Sequence, residues 1–160
     1  MKIIKASNKP LLICVDEQDY DLVSKSSWYI NEWGYAIARI KIKKGHYENF
    51  LLHRLILGLK KGVGTVDHIN REKLDCRRVN LRMVTESQSQ MNRPIFRNNT
   101  TGYKGVYFDK ERNKFTGYAG PKGNRKRIGR FDTAEEAAIA YNKRVKELYG
   151  EYAFQNEVSK

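Results

Sequence analysis

Hydrophobic and polar positions in the first half of the chain alternate around a polar turn. In SWYINEWGYAIARIKI, residues 27–42, two runs of aromatic and β-branched residues flank a turn at 31–34, which predicts a β-hairpin. One face of its second strand collects Ala36, Ala38, Ile40 and Ile42. The next run, YENFLLHRLILGL, is more continuously apolar, so that a strand and a short helix both fit it.

Short elements and loops then alternate between residues 62 and 93. Gly62 and Gly64 indicate a turn, TVDHI ends a strand, the stretch 70–79 is polar, and NLRMV predicts another strand. Thr85, followed three positions later by Gln88, forms a capping box, which predicts a short helix over about 86–93. The predicted order is strand, loop, strand, helix.

The second half shows a clearer pattern of strands followed by a helix. YKGVYF, KFTGYAG and RKRIGRF predict three short strands separated by polar turns. DTAEEAAIAYNKRVKELYG predicts a helix, because Thr133 and Glu136 form a capping box and Gly150 suits the C-terminal cap. Its apolar positions recur at steps of three and four and are mostly alanine, so this helix can lie close on a sheet.

A polar segment, NRPIFRNNTTG, interrupts these patterns and predicts a domain boundary. We expect an N-terminal domain over 1–92, a linker over 93–100 and a C-terminal domain over 101–160. The predicted class is α+β, with a mixed N-terminal domain that ends in the strand, strand, helix unit. The C-terminal domain is predicted to be a three-stranded antiparallel sheet packed on one helix.

The charge balance of the chain narrows the choice of partner. There are 31 Lys and Arg against 18 Asp and Glu, a formal charge of +13, which favours a polyanion and above all nucleic acid. A membrane surface is the rival, but no apolar run approaches the roughly 18 residues of a spanning helix, and LLICV is too short for a signal core. We therefore expect an intracellular, cytoplasmic protein, with Cys14 and Cys76 as reduced thiols.

Asp67 and His68, in TVDHIN, are the residues that suggest chemistry. Cutting a phosphodiester requires a group that deprotonates water and a group that neutralises charge on the phosphate. A carboxylate is a hard ligand for Mg²⁺, and an imidazole with an ordinary pKa of about 6.5 is a usable base near neutral pH. The alternative is a hydrogen-bonded strand end with no catalytic role.

The surrounding motifs favour the catalytic interpretation. His-Arg-Leu at 53–55, Asp-His-Ile-Asn at 67–70 and Asp-x-Arg-Arg-x-Asn-Leu-Arg at 75–82 together resemble the HNH endonuclease family, in the form found in phage and intron homing endonucleases. In that family a two-stranded ribbon and a helix, the ββα-metal motif, hold one divalent ion. The resemblance implies a metal ligand at Asp67, a general base at His68 and a brace at Asn80, with Mg²⁺ or Mn²⁺ as the cofactor.

Two positions depart from the family pattern. Cys76 stands where the family usually has Asn, a change that we interpret as structural. Ser89 stands where the family helix usually has a metal-binding Asn, and a hydroxyl is a weaker ligand than an amide oxygen. The resemblance therefore implies Ser89 as a second metal ligand in a weakened or rearranged site. Asn92 matches a later family Asn, and Glu86, one helical turn before Ser89, could face the same way.

The other two histidines have simpler interpretations. His53 lies within FLLHRLIL, where a partly buried histidine with its hydrogen bonds satisfied is more common than a metal ligand. His46 lies in the polar turn KKGHYEN, which is typical of solvated surface. Neither is expected to belong to the site.

Strand alternation divides the C-terminal sheet into two faces. The face toward the helix is predicted to hold Val106, Phe115, Ala119 and Ile128. The exposed face is predicted to hold Tyr107, Thr116, Tyr118, Arg125 and Arg127. A basic sheet face of this kind can enter the DNA major groove, although a solvated face with scattered charge is the alternative.

The segments TGYKGVYF and RIGRFDTAEEAAIAYN, with the closing Phe154 to Asn156, resemble the Apetala/ethylene-response-factor DNA-binding domain. In that family the sheet contacts DNA. The matching positions imply DNA contacts at Lys104, Tyr107, Tyr118, Arg125 and Arg127. Gly120 and the two tyrosines depart from the Arg- and Trp-rich plant pattern, so only the fold and the DNA-facing side are carried over.

The resemblances together predict a sequence-specific, metal-dependent endonuclease of homing type that acts on double-stranded DNA. One site per chain favours nicking by a monomer, with pairing of two chains on DNA as the route to a double-strand cut. We expect no membrane partner, no small-molecule cofactor, and a phage-encoded protein in a bacterial host. The alternative is a DNA-binding protein that keeps the HNH fold without cleaving, and Ser89 is the residue that favours it.

Overall fold

The computed structural model describes residues 1–121 and 123–158, and the chain divides into two compact units, Met1–Val84 and Thr85–Lys160. Each unit combines small antiparallel sheets or hairpins with short helices, so the predicted mixed α+β class is confirmed. Within the described ranges no helix has the length and apolar character required to cross a membrane.

The first unit contains seven strands and two helices. In chain order these are β1 (Lys2–Lys5), β2 (Leu12–Val15), α1 (Glu17–Val23), β3 (Tyr29–Ile30), β4 (Ala36–Lys43), β5 (His46–Leu51), α2 (Leu52–Ile56), β6 (Thr65–His68) and β7 (Leu81–Val84), with a 3-10 turn at Arg78–Asn80. The strands form antiparallel sheets of order β1-β2, β3-β4-β5 and β6-β7. Their shared core includes Trp28, Ile13, Val15, Leu52 and Cys76, all buried.

The hairpin predicted around residues 31–34 is confirmed by the pairing of β3 with β4. The Asn31 side chain accepts hydrogen bonds from the backbone N–H groups of Trp33 and Tyr35, and so fixes the turn. Of the residues predicted to share one face of β4, Ala36 and Ala38 are buried, whereas Ile42 is half exposed because β4 extends past the core together with β5.

The continuous apolar run YENFLLHRLILGL forms a strand and a helix in succession. β5 ends at Leu51, and α2 begins at the next residue. Both alternatives that the sequence left open are therefore realised, one after the other. The change of direction buries Leu52, His53 and Ile56 on one side of α2.

The second unit contains α3 (Glu86–Asn92), β8 (Val106–Asp109), β9 (Lys114–Ala119), β10 (Lys126–Phe131) and α4 (Ala134–Tyr149). The sheet order is β10-β9-β8, and both pairings are antiparallel. On α4 the buried residues are Ala137, Ala138, Tyr141 and Val145, and they pack with residues of all three strands. Both predicted capping boxes, at Thr85 and Thr133, are confirmed.

Helix α3 is anchored to the second unit through its C-terminal carbonyl groups. The ammonium group of Lys104 donates hydrogen bonds to the carbonyl oxygens of Met91 at 2.5 Å and Arg93 at 2.7 Å. The backbone N–H of Phe154 also donates to Met91, at 3.1 Å. These bonds satisfy groups that a helix end leaves without partners. The unit therefore begins before α3, whereas the sequence placed the domain boundary after Asn92.

Replacing Lys104 by Met should destabilise the second unit by about 2 kcal/mol, because partly buried carbonyl groups at the end of α3 lose their donor. Urea unfolding of the full chain measures the change. Lys110→Met, at an exposed lysine in a turn, is the matched control and should leave the unfolding midpoint unchanged. Unaltered stability combined with lost DNA binding would instead make Lys104 a DNA contact.

Candidate functional site

The pairing of β6 with β7 brings Asp67 opposite Arg82 and His68 opposite Leu81. The Arg82 guanidinium donates from Nε and from one Nη to Oδ2 of Asp67, at 3.1 and 2.9 Å. Both side chains are little exposed, 12% for Arg82 and 11% for Asp67, so this ion pair is screened from solvent. The Arg82 guanidinium group therefore orients the Asp67 carboxylate.

His68 lies in a cluster of three rings. Its ring centroid is 5.1 Å from that of His53 in an edge-to-face arrangement, and 6.0 Å from that of Tyr35. Tyr35 and His53 are 5.4 Å apart, which closes the triangle. Both histidines are buried, which confirms the prediction of a buried His53 and fixes the orientation of the His68 ring by packing.

Burial sets the protonation state of this ring cluster. Loss of solvent lowers the pKa of His68 to about 4, against an opposing effect of Asp67 and Asp75. The pKa of His53 falls to about 3, chiefly by burial and secondly through His68. Both imidazoles are therefore neutral at pH 7, which is the form of His68 that can accept a proton.

A lysine closes one side of the ring cluster. The ammonium nitrogen of Lys73 lies 4.7 Å from the centroid of the Tyr35 ring and donates to the carbonyl of Trp33 at 2.7 Å. The cation stabilises the ring through its quadrupole and ties the hairpin turn to the loop that precedes β7. Positive charge thus stands beside the rings but outside the apolar contact between the two imidazoles.

Asn80 holds together the loop between β6 and β7. Its amide oxygen accepts the backbone N–H of Asn70 at 2.9 Å, and its amide nitrogen donates to the carbonyl of Asp75 at 2.8 Å. The backbone N–H of Ile69 also donates to the carbonyl of Asn80. Because Asn80 is buried and bonded at three points, it fixes the position at which the chain leaves His68.

Asp75 forms a second fixed point in the same loop. The guanidinium group of Arg77 donates to both of its carboxylate oxygens, at 2.7 and 2.6 Å, and the side chain of Asn70 donates at 2.9 Å. These hydrogen bonds hold the pKa of Asp75 below its ordinary value. Asp75 is consequently a structural carboxylate.

Two further arginines attach the site to the rest of the first unit. Arg78 donates to both carboxylate oxygens of the buried Asp19 on α1, at 2.9 and 2.7 Å, and to the carbonyl of Ile56 on α2. Arg54 donates to three carbonyl groups in the turn 60–64 that leads into β6. The loop and the strand thus have ionic or hydrogen-bonded supports on both sides.

Asp67 has the donor chemistry for a divalent ion. Within residues 1–121 and 123–158, no cluster of three or more His, Cys, Asp or Glu side chains could hold a metal. An ion at Asp67 would therefore need neutral oxygen atoms or water as its other ligands, a combination that some divalent ions accept. The residues fit such an ion, provided that it competes with Arg82 for the carboxylate.

The remaining predicted residues of the nuclease motif have clear positions. Ser89 is half-buried on α3, in the second unit, and its role as a metal ligand stays a prediction. Cys76 is fully buried, and burial raises the pKa of its thiol to about 12, in agreement with a structural substitution. Both cysteines are free thiols, as predicted. His46 is half exposed and bonded to Glu48, which confirms its surface position.

The outer face of the second unit's sheet carries aromatic and basic side chains. Tyr107 and Tyr118 meet edge to face with ring centroids 5.8 Å apart. Arg125 donates to the Tyr107 hydroxyl at 3.2 Å, and Arg127 pairs with Tyr118 across the two strands. Four of the five residues that alternation placed on this face therefore lie together.

A β-bulge in β10 changes which residues share that face. The register passes from Arg127 opposite Tyr118 to Gly129 opposite Gly117, so that Ile128 is the extra residue. Beyond the bulge, Arg130 stands opposite Thr116, whose other neighbour is Tyr107. Arg130 thereby joins the outer face. Thr116 is buried in the middle strand between these neighbours, so the prediction that it is exposed was wrong.

Several of these residues escaped sequence reasoning. Lys104 was predicted as a DNA contact, but its ammonium group caps the C-terminal end of α3. No sequence motif indicates this contact. Arg82 was read only as part of a motif, although Asp67 and Arg82 occupy facing strands. His53 and Tyr35 contact each other, and His53 contacts His68, only because the chain folds back on itself. The motif His-Arg-Leu contains His53 but does not indicate these contacts. The position of Arg130 on the outer face depends on the β-bulge at Ile128, which strand alternation alone does not predict.

A histidine that can accept a proton, set beside an oriented carboxylate, is a combination suited to phosphodiester hydrolysis and defines a nuclease-like site. Residues 50–91, which include Asp67, His68, Asn80 and Ser89, match the family model described as HNH endonuclease.

Two relatives with curated names also match the chain. An uncharacterized HNH endonuclease, L560, of Acanthamoeba polyphaga mimivirus is 31% identical over 139 residues, which cover 87% of this chain and 71% of that protein. Protein 3.8 of Escherichia phage T7 is 31% identical over 88 residues, 55% of this chain and 72% of its own length. The chain belongs to the HNH endonuclease family. No solved structure gives a significant match.

Removing the cation of the Asp67–Arg82 pair should be costly, because a buried carboxylate would lose its partner. We expect Arg82→Met to lower the free energy of unfolding by about 3 kcal/mol, measured by urea denaturation. The double variant Asp67→Leu, Arg82→Met should recover much of the loss. Arg112→Met, which breaks an exposed pair with Asp109, is the control and should change little. An equal loss in the double variant would contradict the ion-pair explanation.

Proposed function

We propose that this protein is a DNA endonuclease that hydrolyses phosphodiester bonds with His68 as the general base and a divalent ion, Mg²⁺ or Mn²⁺, held at Asp67. The observation that supports this most directly is the neutral, packed His68 ring directly beside an oriented carboxylate on the same strand. Membership of the HNH endonuclease family supports a nuclease and a DNA substrate.

His68 would accept the proton of the attacking water. Its ring is held by Tyr35 and His53, and the strand end that carries it is fixed by Asn80. A base with a pKa of about 4 is neutral at pH 7, and an approaching phosphate anion favours the protonated imidazole that forms as the proton is taken. The His68 imidazole is thus neutral before the reaction, and its protonated form is stabilised by the phosphate as the proton is transferred.

A divalent ion bound at Asp67 would supply positive charge for the phosphate and for the leaving oxygen. The chain's own contribution is to orient the Asp67 carboxylate, through Arg82, before any ion arrives. The guanidinium group of Arg82, which lies beside the same carboxylate, would also favour the binding of an anionic phosphate. Arg82 is therefore proposed as a positioning residue for Asp67.

The second unit is proposed to bind double-stranded DNA through the outer face of its sheet. Tyr107, Tyr118, Arg125 and Arg127 share that face, and the bulge adds Arg130. Residues 93–131 contain 11 Lys and Arg against 2 Asp and Glu, which supports phosphate contacts. A twisted sheet with arginines on one face fits the major groove, where Arg can read guanine. Lys104 is left out because its ammonium group caps α3.

Sequence-specific cleavage of homing type, by nicking, is the more detailed form of the proposal. It follows from the family resemblance and from the presence of one Asp67–His68 pair in each chain. A non-cleaving DNA-binding protein with the same fold is the second candidate. Ser89 in place of the usual Asn ligand, and an Asp67 charge already balanced by Arg82, are the observations that favour it.

Incubation of supercoiled plasmid with the protein and Mg²⁺ or Mn²⁺ tests the catalytic proposal. We expect nicked circles to accumulate, and His68→Ala to slow their formation by about 10²- to 10⁴-fold, the usual contribution of a general base. His46→Ala, at an exposed histidine, is the control and should cut at the normal rate. DNA binding without any metal-dependent break would support the non-cleaving candidate.

The proposed DNA contact of the outer face of the sheet is tested by comparing two neighbouring residues on β10. Arg127→Ala should weaken binding to a selected target duplex by about 1 to 3 kcal/mol if the guanidinium contacts a base. Lys126→Ala is the matched control, since Lys126 stands opposite the buried Ala119 and so points to the other face. Fluorescence anisotropy on target and scrambled duplexes measures both. A loss equal on all sequences would mark Arg127 as a phosphate contact.

A further inference from the structure

The second unit contains a cavity of about 640 Å³ at the end of the sheet where β8 begins and β9 ends. Its lining residues come from the end of α3, the segment 93–99, the sheet and α4. Tyr141 of α4 lies at the bottom, where it is almost completely buried. A volume in this range is typical of small-ligand sites, roughly 300 to 1,000 Å³.

Glycine at position 105 shapes the bottom of this cavity. Gly105 has a φ of +77°, and a Cβ atom there would lie 2.3 Å from the ring of Tyr141. Because Gly105 has no side chain, the backbone just before β8 can pass directly over the ring of Tyr141.

Three further aromatic side chains line the opening. Phe96 is 62% exposed and Tyr107 is 46% exposed, although both are large apolar groups. Tyr118 is half-buried and meets Tyr107 edge to face. Exposed rings grouped in this way are the surface that unpaired bases stack on in proteins that bind single strands.

The charges at the opening are all positive. Arg93 and Arg125 are exposed lining residues, and among the described residues that line the cavity there is no Asp or Glu. An apolar small molecule or an apolar peptide would leave both guanidinium groups without an anion. A nucleotide supplies a flat base for the rings and a phosphate for the arginines, so its chemistry matches both features.

We propose that this cavity is a binding site for one unpaired nucleobase of a DNA strand, stacked on Phe96 and the tyrosine pair while Arg93 and Arg125 contact the flanking phosphates. The proposal rests on the proposed function, in which the second unit binds DNA. It adds a preference for DNA that is single-stranded, gapped or locally opened, which a duplex-reading sheet face alone does not give.

Binding of a fluorescent single-stranded oligonucleotide and of its blunt duplex to the full chain tests this. We expect Phe96→Ala to weaken single-strand binding by about 5- to 150-fold, the range for loss of one base stack, and duplex binding by less than about 2-fold. Phe96→Trp should retain single-strand binding. Phe108→Ala, at an exposed phenylalanine outside the cavity, is the matched control and should change neither affinity.

A 2-aminopurine placed in the single strand gives an independent readout, because its fluorescence falls when it stacks. The site is supported if the parent chain quenches the 2-aminopurine fluorescence and the Phe96→Ala variant does not. Equal weakening of single-strand and duplex binding in Phe96→Ala, or no quenching at all, overturns it while leaving the proposed function intact. Failure of the parent chain to bind either DNA overturns both. Circular dichroism melting checks that each variant is folded.

Discussion

The four-residue ladder between β6 and β7 is the constraint on which the first unit's chemistry depends. Its register sets Asp67 against Arg82 and ends the strand at His68, opposite the buried Leu81. A slip by one residue would turn each of these side chains to the other face of the ribbon. The long loop that joins the strands is held by side chains, above all Asn80, and its hydrogen bonds stabilise this register.

Three acidic side chains of the first unit are paired with arginines instead of being exposed to solvent. Asp19, Asp67 and Asp75 each receive a guanidinium group, and all three carboxylates are largely buried. Buried pairs of this kind contribute little net stability compared with apolar packing, but breaking one is costly. Their effect is to define one geometry for the loop, which a site that must position a base and a carboxylate needs.

Sequence reasoning reached the features that depend on local pattern. The hairpin turn at Asn31, the capping boxes at Thr85 and Thr133, and the buried His53 follow from side-chain chemistry within a few residues. The family followed from motifs, and the match over residues 50–91 agrees with it.

Other features require distances across the fold, which no local pattern contains. The apolar run after residue 46 splits into a strand and a helix because Leu52 enters the shared core. Lys104 reaches the end of α3, thirteen residues before it in sequence. The exposed Ile42 and the buried Thr116 likewise depend on where the core ends and on what flanks a middle strand.

The β-bulge at Ile128 has a consequence for how the charge on the outer face of this sheet is set. Because one extra residue reverses the alternation, the length of β10 decides whether the arginine at its far end faces outward or toward α4. Loss of a single residue there would remove Arg130 from the outer face without replacing any arginine. Insertion and deletion, as well as substitution, are thus routes by which the charge pattern of this surface could diversify among relatives.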